Sequence, residues 1–246
     1  MLPAVAFLGS STIHGKGQAY DVIGDLRARP ANVGRRLPNF GHGGDLAYNS
    51  LQRLPEVIRT NPAGVVVLVG GNDVLFSTFP KLRRFLALVK RPPREPAPDW
   101  FEQCVRDIVR QLKAGTTAAI ALCSLGPIGE APTSVDPVQR ELNRLVAACS
   151  SVVERVAGEE GATYIPFFEH LRDQIALSPG PALSEIKILS MYADAFRTVV
   201  LREDLDELGR RRGWSFHTDG IHLNRRGGKI LADLIQGFLA PSRPRS

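Results

Sequence analysis

Cysteine is scarce in this chain. Cys104, Cys123 and Cys149 are the whole complement in 246 residues, with no Cys-x-x-Cys pair and no ligand-like spacing. That argues against a disulfide-stapled scaffold and a zinc ribbon, and it leaves three small side chains suited to a core. No stretch approaches the roughly 20 apolar residues of a membrane-spanning helix. The N-terminus lacks a charged region followed by a long apolar one, because Leu2–Leu8 is short and runs straight into Gly9-Ser10-Ser11. These absences predict a cytoplasmic protein. No Gly/Ser linker and no internal repeat divides the sequence, so a single domain over residues 1–246 is expected.

Charge of one sign is not concentrated either. Lys and Arg number 31 against 25 Asp and Glu, a net charge of +6, but the basic residues are scattered. The two local clusters, Lys81 to Arg94 and Arg210 to Arg212 with Arg225 and Arg226, read as solvated faces. No nucleic-acid partner is expected. Hydrophobic residues at 43% and charged residues at 23% provide an ordinary globular core.

Apolar runs that end in glycine dominate the remaining pattern. Val5–Leu8 and Val65–Val69 read as buried parallel strands, and Ala118–Leu122 and Tyr164–Phe167 as two more. Arg36–Phe40 gives a weaker strand. Helical spacing lies between them. One helix runs through Leu46, Leu51, Leu54, Val57 and Ile58 with a break at Pro55, and another through Phe101, Val105, Ile108 and Leu112, opened by an Asp99/Glu102 capping box. Asp136 with Pro137, and later Asn224, are N-caps of further helices. Residues 76–98, with five prolines among apolar and basic residues, read as an insertion or lid, and residues 169–213 as helical segments broken at Ser178-Pro179-Gly180-Pro181.

Strand, helix and strand in repetition predict an α/β protein whose parallel sheet, of about five strands, is covered by helices on both faces. Such sheets bind ligands at the carboxyl ends of their strands. Gly9–Ser11, Gly41–Asp45 and Gly70–Asp73 each follow a predicted strand directly, so the three should meet in one crevice.

The residue types there suit acyl transfer. A serine hydroxyl needs a base and a group that orients the base. Asp219 and His222, three residues apart, can supply both for Ser11. A tetrahedral oxyanion needs fixed N–H donors, which Gly44 offers from its backbone and Asn72 from its amide. Singly, each feature has a bland equivalent: Ser11 as a helix cap, Gly44 as a turn residue, Asn72 as a strand-to-helix turn, and His222 as a satisfied, partly buried histidine. Ser10 competes with Ser11 as nucleophile, and His217 with His222 as base. His14 and His42 are expected near the crevice, in surface, turn or substrate-contacting roles.

Taken in order, Gly9-Ser10-Ser11, Asn39-Phe40-Gly41-His42-Gly43-Gly44-Asp45, Gly70-Gly71-Asn72-Asp73 and Asp219-Gly220-Ile221-His222-Leu223-Asn224 resemble the four blocks of the SGNH hydrolase superfamily, the GDSL-like lipases and esterases. One departure stands out: Ser10 occupies the place of the usual aspartate. The resemblance implies a three-layer α/β/α sandwich with a flavodoxin-like sheet. It implies Ser11 as nucleophile and as an oxyanion donor through its own N–H, Gly44 and Asn72 as the other donors, His222 as base and Asp219 as its partner. It also implies no metal or organic cofactor, and a small acyl ester as substrate, whether a lipid, an acetylated sugar or another small ester. The alternative is a non-catalytic or nucleotide/phosphate-binding module using the Gly9–Lys16 loop. That loop departs twice from the phosphate-loop pattern, at Ser10 and Gly17, and Ile13 likewise departs from the Gly-x-Ser-x-Gly elbow.

Overall fold

The computed structural model describes residues 2–15, 18–186 and 204–240. Five parallel strands form one sheet: β1 (Val5–Gly9), β2 (Asn39–Gly41), β3 (Gly64–Leu68), β4 (Ala119–Cys123) and β5 (Thr163–Ile165), in spatial order β2-β1-β3-β4-β5. This is the flavodoxin-like order of a doubly wound α/β protein.

β1 and β3 are buried along their whole length, which explains why they read as continuous apolar runs rather than alternating ones. The pleat still sorts their side chains. Ala6, Leu8, Val65 and Val67 face a core shared with α3 (Ala47–Gln52), α4 (Leu54–Arg59), α5 (Gly71–Thr78), α6 (Pro80–Lys90), α7 (Pro98–Gly115) and α8 (Pro137–Glu159). Val5, Phe7, Val66 and Leu68 face a second core, shared with α1 (Ser11–His14), α2 (Val22–Ala28), α9 (Phe167–Leu177) and α11 (Arg225–Leu239). α10 (Leu205–Arg211) precedes the last of these. The result is helix, sheet, helix: three layers and two cores.

Local chemistry sets the boundaries. Asp136 accepts from the N–H groups of Val138 and Gln139, both at 2.9 Å, with Pro137 opening α8. Asn224 caps α11 through the N–H of Gly227 at 3.0 Å. Pro55 stands near the start of α4 and separates it from α3.

Three expected boundaries are corrected. α7 starts at Pro98 after Ala97, because proline already fixes the first helical φ, and so Asp99 falls inside the first turn and forms no capping box. Glu102 instead pairs with Arg106 and Arg155. β5 stops at Ile165 rather than Phe167, since Pro166 has no N–H for the ladder and leads into α9. β2 is confined to Asn39–Gly41, with Pro38 unable to donate before it.

Residues 76–98 contain the end of α5 and all of α6, whose Leu82 and Leu86 are buried in the first core together with Phe76 and Phe79. Within the stretch expected to be helical after β5, α9 ends at Leu177 before the Ser178–Pro181 break, and residues 187–203 lie outside the described residues.

Candidate functional site

Three strand ends stand in one row. Gly9, the last residue of β1, lies opposite Gly41 of β2 on one side and Leu68 of β3 on the other, and Gly41 and Leu68 also end their strands. The chain leaves β1 toward β2 and then crosses back to β3, so the loops beyond this row diverge and open a crevice. Ser11, Gly44 and Asn72 each follow within four residues of the row.

Ser11 opens α1, a single helical turn closed by hydrogen bonds from His14 N–H to Ser10 C=O (2.9 Å) and from Gly15 N–H to Ser11 C=O (3.1 Å). Ser10 is 7% exposed and Ser11 more open, so the second serine is the more accessible residue of the pair. Gly9 owes its identity to close approach rather than to a bend. Its φ is not positive, but a Cβ there would lie 2.4 Å from the carbonyl oxygen of Leu68 and 2.7 Å from Ile13.

Gly44 sits in the turn after β2 at φ +76°, a left-handed conformation that glycine adopts without strain. Its neighbour Asp45, 4% exposed, anchors this turn. The Asp45 carboxylate accepts from Arg53 Nε (2.9 Å) and Nη2 (2.6 Å) and from Lys90 Nζ (2.7 Å). Arg53 also donates to the carbonyls of Phe40 (2.6 Å) and Gly9 (3.3 Å), tying β2, β1 and the turn together. Asn72, the second residue of α5, donates one amide hydrogen to the carbonyl of Asp45 at 2.9 Å, which fixes the amide plane.

Next to it, Asp73 is buried and accepts from the N–H of Ala47 at 3.0 Å. Burial pushes its carboxyl up to about 7, against the opposing pull of that hydrogen bond. His42 is held below its ordinary value by desolvation and by the charge of Arg53.

Asp219 and His222 lie in the hairpin between residues 216 and 224, whose arms are joined by Thr218 N–H to His222 C=O (2.8 Å) and Asn224 N–H to Phe216 C=O (3.0 Å). One carboxylate oxygen of Asp219 accepts from the N–H groups of Ile221 (2.9 Å) and His222 (2.8 Å), and the other meets His222 Nδ1 at 2.8 Å. Desolvation opposes charge on both groups, but the pair overcomes it. Asp219 is held well below the usual carboxylate range, and His222 is raised above the ordinary histidine value by the charge and hydrogen bond of Asp219. With Nδ1 engaged, Nε2 is the nitrogen left to act as a base.

Ser10, Ser11, Thr12 and Asn72 line one cavity of about 50 Å³ together with Ile221 and Leu223, the two neighbours of His222. Leu125, Pro127, Ile128 and Phe167 form its apolar wall. Gly44 is not part of that lining and connects to it through the bond between Asn72 and Asp45.

His217 does not compete with His222 in this structure. It is wholly buried, with Nδ1 at 2.8 Å from Glu130 and Nε2 at 3.0 Å from the carbonyl of Pro127. Burial also pushes the thiols of Cys104 and Cys149 up to about 12, which leaves them protonated and unreactive. Among the described residues, no group of three or more His, Cys, Asp or Glu side chains could hold a metal ion, and no helix is long and apolar enough to cross a membrane.

Sequence reasoning missed Arg53, Lys90 and Glu130. None stands in a motif; Lys90 reaches Asp45 from 45 positions away and Glu130 reaches His217 from 87, while Arg53 is eight positions from Asp45. Lys16, on which the phosphate-binding alternative depends, lies outside the described residues.

The GDSL-like lipase/acylhydrolase family model matches residues 7–184, a range that ends before Asp219 and His222. No curated protein sequence matches the chain. Among solved structures, the acetylxylan esterase Axe2 from Geobacillus stearothermophilus aligns over 99% of this chain and 97% of its own, with a TM-score of 0.64 at 18% identity. A catalytic mutant of the same enzyme aligns with a TM-score of 0.66 at 17% identity, over 99% and 97% of the two chains. LAE5, an alpha/beta hydrolase enzyme from the metagenome of Lake Arreo, Spain, aligns over 96% of this chain and 94% of its own, with a TM-score of 0.63 at 15% identity. At these identities the likeness is one of fold.

Proposed function

The chain belongs to the GDSL-like lipase/acylhydrolase family and is a serine ester hydrolase, and we propose that it works through an acyl-enzyme formed on Ser11. His222 Nε2 takes the proton from the Ser11 hydroxyl as its oxygen attacks the ester carbonyl. The negative charge that collects on the carbonyl oxygen is held by the N–H groups of Ser11 and Gly44 and by the free amide hydrogen of Asn72. Asp219 keeps His222 in the tautomer with Nε2 open and stabilises the imidazolium once it forms. His222 then passes its proton to the departing alcohol. A water, activated in the same way, attacks the acyl carbon and releases the acid with Ser11 restored.

The single observation that carries this reading is the Asp219–His222 pair at 2.8 Å, set on a hairpin whose residues Ile221 and Leu223 line the same cavity as Ser11 and Asn72.

The acyl group is small. A cavity of about 50 Å³ with an apolar wall suits an acetyl or similarly short chain, well below the several hundred Å³ of a site for a larger ligand. The alcohol portion is a sugar or another small molecule outside the cavity. Three free, buried thiols fit a reducing compartment, and we place the enzyme in the cytoplasm.

The test is hydrolysis of chromogenic esters of graded chain length. The acetate should be cleaved fastest, and Ser11→Ala and His222→Ala should each remove the activity. Full activity in Ser11→Ala, or an inert wild type at every chain length, would overturn the reading.

A further inference from the structure

Glu130 and His217 form a second carboxylate–imidazole pair, and both side chains are wholly inaccessible to solvent. Charged groups are seldom buried to this degree without a dense set of partners. Glu130 has one. Its Oε1 accepts from the N–H groups of Phe216 (2.6 Å) and His217 (2.9 Å) and meets His217 Nδ1 at 2.8 Å, while Oε2 accepts from the N–H of Ser215 at 2.7 Å. One side chain of the loop between β4 and α8 therefore holds three successive backbone N–H groups at the entry to the hairpin that carries Asp219 and His222.

The imidazole completes the clamp. Both ring nitrogens face oxygen acceptors, Nδ1 the Glu130 carboxylate and Nε2 the carbonyl of Pro127 at 3.0 Å. Pro127 also lines the cavity with Ser11 and Asn72, so the ring links the cavity wall to the hairpin. Two further contacts fix the same junction. Gly129 N–H donates to the carbonyl of Gly220 at 2.7 Å, and the Trp214 ring lies edge-on to His217 with centroids 6.3 Å apart.

We propose that Glu130 and His217 are positioning residues: a buried, hydrogen-bonded pair that sets the hairpin, and with it Asp219 and His222, at the height of the Ser11 cavity. The inference rests on the acyl-enzyme reading for the role of His222. Neither residue touches substrate. Their contribution is geometric, and displacing a catalytic group by about 1 Å can cost on the order of a hundredfold in rate.

One substitution tests it first. In Glu130→Gln, the amide keeps a single acceptor oxygen and cannot hold Ser215 N–H, the Phe216 and His217 N–H groups and the His217 ring together. Its kcat on a short-chain acetate should fall by about tenfold to a hundredfold, with KM within about twofold. A kcat within twofold of wild type would overturn the positioning role.

Should Glu130→Gln fail to fold, two substitutions at His217 decide the question. His217→Asn retains a donor where Nδ1 stood, and His217→Gln one where Nε2 stood. If the Glu130 contact sets the hairpin, the asparagine variant keeps the higher kcat, whereas equal wild-type kcat in both sinks the proposal. Trapping of an acyl group on Ser11 in these variants keeps this outcome separate from the acyl-enzyme reading, which would fail at Ser11→Ala.

Discussion

Lys90 closes on Asp45. Its ammonium, at the end of α6, lies 2.7 Å from the carboxylate that anchors the Gly43–Gly44–Asp45 turn and 2.6 Å from the carbonyl of Gly43. The helix that falls in the proline-rich stretch is thereby fastened to the turn that presents the Gly44 N–H. Lys90→Met keeps the length of the stem and removes the charge, while Asp45 retains Arg53. The variant should fold and lose about tenfold in kcat on a short-chain ester through a looser turn, as steady-state kinetics would show.

Asn72 has two amide hydrogens and uses one on Asp45. Asn72→Ala should lower kcat by about a hundredfold or more, the usual effect of removing one oxyanion donor, with little change in KM. An unchanged kcat would remove Asn72 from the oxyanion site.

Activity should depend on pH through His222. Only the neutral imidazole accepts the Ser11 proton, and His222 is raised above its ordinary value, so the acid limb of kcat/KM should fall above about pH 6.5. Asp219→Asn removes the charge that raises it. The limb should then move to lower pH while kcat drops by about three to four orders of magnitude. A pH–rate profile on both proteins tests the direction.

Asp73 predicts a pH-dependent stability. Its carboxyl is raised to about 7 in the folded chain from 3.8, so between these values the folded state holds a proton that the unfolded state has lost. Stability therefore falls as pH rises from about 4 through 7 and then levels off. Asp73→Asn keeps an acceptor for Ala47 N–H and cannot ionise. It should melt at a higher temperature than wild type at pH 8 and show little advantage at pH 4, as calorimetry at the two pH values would reveal.

The centre of the sheet was legible because β1 and β3 are buried on both faces, so Val65–Val69 and Val5–Leu8 read as core. The row of strand ends followed from their closing glycines. Boundaries were harder where proline decided them: Pro98 moved the start of α7, and Pro166 the end of β5. Asp219 and His222 could be paired from sequence because three residues separate them. Lys90 and Glu130 could not be placed, since a charged side chain far along the chain carries no spacing that points to its partner, and Arg53, eight residues from Asp45, stands outside helical or strand spacing to it. The constraint on Gly9 is the Leu68 carbonyl of the adjacent strand, which only the folded sheet brings near.

Because the residues that meet at the crevice stand far apart in the sequence, assembly has an order. During synthesis, Ser11, Gly44 and Asn72 emerge before the hairpin with His222, which arrives only after β4, β5 and the intervening helices. A ribosome-bound chain stopped before the hairpin would carry a cradle for an ester carbonyl but no base to start the reaction. Activity would switch on only once the hairpin had joined the sheet.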